Sequence, residues 1–226
     1  MYNLLCTIYY VQCVIYCLGC TARSCETLEE QQYGARMYDL ADAMKTVVIT
    51  LPTFHEGEAA MIAEMLRSGR ADLVHLRKPG CNPEEMEQLI RSIPSDLHSR
   101  LVLHDHFSLA GHYGLYGVHL NARNPTPPHG WSGSVSRSCH SLNEVRQWKS
   151  RCHYVSLSPI YDSISKQGYR AAFTREELLK AAQDGTIDNK VYALGGVTFS
   201  RLEEIKALGF GGAMILGDAW RPQSKA

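Results

Sequence analysis

Cationic, hydroxyl-bearing and imidazole side chains recur in this chain at the ends of short aliphatic runs. His75-Leu76-Arg77-Lys78 closes one run, His104-Asp105-His106 the next, and His119 to Asn124 a third. Ser136-Arg137-Ser138-Cys139-His140 closes another, Ser163-Ile164-Ser165-Lys166 follows a later one, and Gly195-Gly196 and Gly217-Asp218 follow the last two. Arg77 and Lys166, on separate segments, suit capture of an anionic group, the arginine by its planar fork and the lysine as a point charge. Gly195, Gly196 and Gly217 carry no Cβ, so backbone amides there can approach a phosphate. The imidazoles of His75, His104, His106, His119 and His140 invite a Zn²⁺-hydrolase reading, because such nitrogens are good ligands for that ion. Against it, the first aliphatic run has no His-x-His pair and no late aspartate pattern accompanies the histidines. His119, inside its run, reads as a hydrogen-bonded core histidine.

These residues need a frame that brings distant segments to one place. Eight strand-like runs supply it: Val47 to Leu51, Leu73 to Leu76, Leu101 to His104, Gly117 to Leu120, Val135 to Ser138, Tyr154 to Leu157, Val191 to Leu194 and Ala213 to Leu216. Between them lie amphipathic segments with helix-start signals at Asn82-Pro83-Glu84-Glu85, Ser141-Leu142-Asn143-Glu144 and Thr174-Arg175-Glu176-Glu177, where a capping oxygen and early carboxylates match orphan amides. Such alternation predicts an α/β protein with a parallel sheet. The short connections favour closure into a parallel (β/α)₈ TIM barrel over an open, doubly wound sheet, and closure puts the chemistry at the C-terminal rim. Only Gly217 to Ala226 follows the last run, so the eighth helix is expected to be truncated. A helix around Glu26 to Met44 is the alternative cover for that face.

Composition narrows the function. The chain has 226 residues, 23 basic and 23 acidic side chains and a formal net charge of zero, so it has no overall pull towards nucleic acid or an anionic membrane. Any anion must be held by local geometry. Cys6, Cys13, Cys17, Cys20 and Cys25 crowd the start, while Cys81, Cys139 and Cys152 are scattered through the rest, which reads as a reduced, cytoplasmic body with inert thiols. Residues 1–43 form an extension of doubtful status. The uncharged stretch from Met1 to Gly19 is a poor signal peptide and a poor membrane span, and the abrupt change at Met44 suggests a mis-assigned start or a disordered appendage ahead of one domain over residues 44–226. Oligomeric state is not legible, and a homo-oligomer stays open.

The runs VHLRKPG, VLHDHFSLA, YGVHLNARN, SRSCHSLNEV, YVSLSPIYDSISK, ALGGVT and GFGGAMILGD, in this order, resemble the strand-end motifs of the thiamine phosphate synthase/TenI family from Met44 to about Trp220. The resemblance implies a transferase of thiamine biosynthesis that joins hydroxymethylpyrimidine diphosphate to thiazole phosphate with Mg²⁺ and releases diphosphate. Carried over by motif, Arg77, Ser138 and Lys166 would hold diphosphate, and Asp105, with Asn124 at a second metal position, would hold Mg²⁺. His75 and His104 would line the pyrimidine pocket. Ser163, Ser165, Gly195, Gly196 and Gly217 would cradle the thiazole phosphate.

This sequence departs from that pattern at four positions. The family's synthases usually carry Gln where His75 stands, Asn at His104, Lys at Pro79 and Asp at Asn124. Lys78 replaces the missing lysine only if the strand has already ended, since alternation sends neighbours to opposite faces. The TenI-type thiazole tautomerases offer a second reading, in which His140 is the general acid/base. A third is a non-catalytic barrel that binds thiazole or thiamine phosphates.

Overall fold

The structure is a computed structural model, and it describes residues 44–162 and 171–221. Eight strands close in sequence order into an all-parallel barrel: β1 (Lys45–Ile49), β2 (Leu73–Leu76), β3 (Leu101–Leu103), β4 (Gly117–Leu120), β5 (Ser134–Cys139), β6 (Tyr154–Leu157), β7 (Val191–Leu194) and β8 (Gly212–Ile215). The seam is made where Lys45, Thr46, Val47 and Val48 pair with Gly212, Ala213, Met214 and Ile215. Helices α1 (Glu58–Arg67), α2 (Pro83–Ser92), α3 (Ser108–His112), α4 (Leu142–Trp148), α5 (Arg175–Gln183) and α6 (Leu202–Ala207) lie in the strand-to-strand connections.

The expected caps form. Asn82 and Glu85 make a reciprocal capping box with Pro83 in the first turn of α2, and Thr174 and Glu177 do the same for α5. At α4, Ser141 caps Glu144 N–H, but the Glu144 carboxylate reaches one residue further and accepts from His140 N–H at 2.6 Å. That shift ties the helix start to the barrel rim.

Strand alternation sorts the side chains into two cores. Val48, Val74, Leu76, Leu101, Leu103, Val118, Val155, Leu157, Val191, Ala193, Ala213 and Ile215 face outwards and join the apolar helix faces. Val47, Ile49, Leu73, Tyr154, Tyr192 and Met214 fill the barrel's interior. The Tyr154 and Tyr192 rings stack there, with centroids 4.5 Å apart. Gly212 is required beside them, because a Cβ at that position would sit 2.6 Å from the Tyr192 ring.

After β8 the described residues make one 3₁₀ turn, Gly217–Trp220. The Trp220 indole N–H donates to Ile49 O at 2.8 Å and latches this turn across the β1–β8 seam. The helix expected near Glu26 to Met44, the extension 1–43, and Ser163, Ser165 and Lys166 lie outside the described residues. Among the described residues, no helix is long and apolar enough to cross a membrane.

Candidate active site

At the C-terminal ends of the strands a cavity of about 570 Å³ opens, and residues from β2 through β5 supply most of its polar wall. Period-two alternation decides which ones. His75 and Arg77 share a face of β2, so Arg77 reaches the cavity while Leu76 joins the outer core. Ser138 and His119 line the cavity from β5 and β4, and Arg123, Arg137, His140 and Glu144 complete its rim.

Three arginines therefore converge on one volume. Arg77 is half-buried; burial and then the Arg123 charge hold its pKa below the ordinary value, against an upward pull from Asp105. It stays cationic, as arginine does in proteins. Arg123 donates to Asp105 at 3.1 Å. Arg137 lies 3.9 Å from the centroid of the Trp148 ring and donates to Pro125 O at 3.3 Å, which holds its head group beside the mouth. Opposite-sign groups at this mouth are fewer, so a multiply charged anion meets a favourable field.

The floor is made of imidazoles. His75 Nδ1 lies 2.9 Å from His104 Nε2, and the other His75 nitrogen lies 2.6 Å from the Tyr154 hydroxyl. His119 meets Ser136 Oγ and Ser138 Oγ, each at 2.8 Å, and its ring stacks on His104 at 4.3 Å. All three rings are buried, yet His104 and His119 line the cavity; His75 sits below and does not. His119 is thus the bonded interior histidine expected from its place in the strand, and a wall residue as well.

Burial is the first cause that lowers the pKa of each ring. His75 and His104 fall well below 6.5 and His119 falls to about 3, with neighbouring histidine charges adding for the first two and Arg137 and Arg77 for the third. Unfolded, each would protonate near the ordinary histidine value, so below that pH the unfolded chain binds more protons than the folded one. Stability from these groups is complete above pH 6.5 and is lost as pH falls from 6.5 towards 3. The urea midpoint, measured with chelator present, is expected to drop between about pH 7.5 and about pH 5, and to drop less in His119→Gln.

Asp105 and Asn124, the expected Mg²⁺ residues, are adjacent: Asn124 Nδ2 donates to Asp105 Oδ1 at 2.7 Å and to His104 O at 3.1 Å. They offer one carboxylate, which is also paired with Arg123. That set fits a Mg²⁺ carried in by a diphosphate, because this ion is commonly held by one or two carboxylates together with substrate phosphates. It is not an all-protein cage.

On the other wall the cavity lining reaches Leu194 and Met214, just before Gly195-Gly196 and Gly217. Gly195 and Gly196 have φ of 93° and 64°, and a Cβ on them would lie 2.8 Å from Pro159 Cα and overlap Asp162 O, respectively. They are glycines because the chain after β6 packs on them. No Cβ contact constrains Gly217. His140 Nδ1 lies 3.1 Å from Ser158 Oγ, at the cavity's edge. Cys139, next to it, is fully buried, and burial pushes its thiol up to about 12, which makes it the inert thiol expected.

Lys78 is not available to an anion. Its ammonium donates to Leu51 O, Thr53 O and Glu58 Oε1 at 2.9, 2.8 and 2.6 Å, behind β2.

The model of the thiamine monophosphate synthase family matches residues 46–217, almost the whole barrel. The chain belongs to that family. It is similar to a thiamine phosphate pyrophosphorylase from Bacteroides thetaiotaomicron, with 43% identity, a TM-score of 0.72 and coverage of 81% of this chain and 89% of that one. A thiamine-phosphate synthase of Photorhabdus laumondii is 26% identical over 168 residues, 70% of this chain and 76% of its own. A thiamine phosphate pyrophosphorylase from Pyrococcus furiosus, at 20% identity and TM-score 0.63, shares the fold over 78% of this chain and 87% of its own. The sequence reading assigned no individual role to Arg123, Arg137 or Tyr154.

Proposed function

We propose that this family member catalyses thiamine phosphate formation from hydroxymethylpyrimidine diphosphate and thiazole phosphate. One observation carries the reading: Arg77 and Ser138, from different strands, meet Arg123 and Arg137 around a single cavity. Such a cluster suits a reaction whose main demand is neutralising a departing diphosphate.

In the proposed reaction the bond between the pyrimidine methylene carbon and the diphosphate oxygen breaks, and its electron pair leaves with the oxygen. The thiazole nitrogen lone pair then forms the new C–N bond, and the product carries the positive charge as a thiazolium. Arg77 and Ser138, with Lys166 from the β6 connection, hold the leaving diphosphate. His104, supported from below by His75, meets the pyrimidine ring. Ser163, Ser165 and the Gly195, Gly196 and Gly217 amides hold the thiazole phosphate and so aim its nitrogen. Mg²⁺, bound by Asp105 and Asn124, would supply further neutralisation of the diphosphate. A biosynthetic role with small soluble substrates suits a cytoplasmic protein.

The purified chain is expected to form thiamine phosphate from both substrates in the presence of Mg²⁺. If it instead isomerises a thiazole carboxylate phosphate, and does so only while His140 is intact, the synthase reading fails in favour of a tautomerase. Silence in both assays, with retained binding of thiazole phosphate, would make it a binding protein.

A further inference from the structure

We infer that His75, His104 and His119 form a site for a late first-row divalent cation of the zinc class, at the floor of the cavity. The inference rests on the geometry of these rings; it uses His75 and His104, which the proposed function sets at the pyrimidine, so the ion and the pyrimidine would compete for this floor. Each histidine offers one nitrogen, and these three atoms lie within 4.8 Å of one another. His75 Nδ1 and His104 Nε2 already face each other at 2.9 Å. Ligands at the usual Zn–N length of about 2.0–2.1 Å stand roughly 3.4 Å apart around a tetrahedral ion, so the widest gap has to close by on the order of 1 Å. The His104 and His119 rings, stacked 24° from parallel, also have to tilt so that their in-plane lone pairs meet at the ion.

The surroundings match what a metal-bound imidazole needs. A ligating histidine is oriented by an oxygen at its second nitrogen. The Tyr154 hydroxyl occupies that place for His75, and a serine hydroxyl, Ser136 or Ser138, occupies it for His119. Both nitrogens of His119 meet serine hydroxyls, so the ion takes the place of one of them. His104 and His119 border the cavity, so the fourth coordination position opens into it, as in sites that keep a place for water or an incoming ligand. Three imidazole nitrogens favour zinc, cobalt, nickel or copper over magnesium, whereas the oxygens of Asp105 favour magnesium. The two sites are therefore separable by the metal used.

The test uses the full chain, stripped with chelator, reduced, and titrated without substrates. Co²⁺ is expected to bind at one equivalent with the visible d–d bands of a four-coordinate ion and to be displaced by Zn²⁺. X-ray absorption of the zinc-loaded protein is expected to show nitrogen and oxygen neighbours and no sulfur, which excludes capture by the five cysteines between Cys6 and Cys25. Tyr154→Phe should weaken Zn²⁺ binding by about 10–100-fold, the usual cost of an outer-sphere partner. His75→Gln and His104→Asn should each weaken it further than that. A sulfur shell, no uptake at one equivalent, or folded histidine variants that bind like the parent would overturn the inference. Should those variants not fold, the ligand shell of the parent protein decides alone.

Discussion

Arg77→Ala is expected to lower kcat/KM for thiamine phosphate formation by about 10²–10³-fold, the loss typical when one donor to developing negative charge is removed. Arg77 stands two residues after His75 on the inward face of β2 and reaches the cavity half-buried, beside Arg123. Charge on the diphosphate grows as its bond to carbon breaks, so a cation at this place contributes more in the transition state than in the ground state. The loss should therefore fall mainly on kcat, with a smaller change in KM. Arg77→Lys keeps the charge but loses the paired N–H fork, and should recover only part of the rate. Folding is not expected to suffer, because Arg77 ties to β1 through its backbone: its N–H donates to Thr50 Oγ1 at 2.8 Å and its carbonyl accepts from the same hydroxyl at 3.2 Å. Steady-state kinetics with a urea melt separates the two effects. An unchanged kcat would remove Arg77 from the leaving group's site.

The barrel was legible because each strand carries its own local signal. Runs such as Leu73 to Leu76 and Val191 to Leu194 are short, aliphatic and bounded by polar or glycine residues, and they begin and end where read. The first strand begins two residues earlier than its aliphatic run, at Lys45, because pairing of Lys45 with Gly212 at the seam defines it. No local pattern reports a partner 167 positions away in the chain. Site residues divided along the same line. Arg77 and Ser138 stand at strand ends in the sequence, and both line the cavity. The Arg137 side chain leaves β5 on the face opposite to Ser138, and the Trp148 ring and Pro125 O hold its guanidinium near the mouth, contacts that no local pattern reports. Tyr154 opens the sixth run, and its hydroxyl becomes a partner of His75 only with the interior assembled. Ser163, Ser165 and Lys166 lie outside the described residues, and their roles are proposals.

Lys78→Met is expected to destabilise the fold by about 3–5 kcal/mol, the usual cost of breaking a buried ion pair from one side. Lys78 follows Arg77 directly, so the strand's alternation sends it behind the sheet, where it is 1% exposed. All three of its protons are used, on Leu51 O, Thr53 O and Glu58 Oε1, and Glu58 is 2% exposed. Methionine fills much of the same space but leaves a buried carboxylate and two carbonyls without their donor. Adding Glu58→Gln to Lys78→Met removes the stranded charge and should return a substantial part of the loss, a coupling that a double-mutant cycle in urea measures directly. A single variant as stable as the parent would show that the pair contributes nothing. The contacts also anchor the segment after β1 to the end of β2, which gives Arg77 a fixed base. One lysine thus holds the rim from behind while the arginine beside it faces the cavity. For that reason Lys78 cannot stand in for the cation that the family usually carries at Pro79.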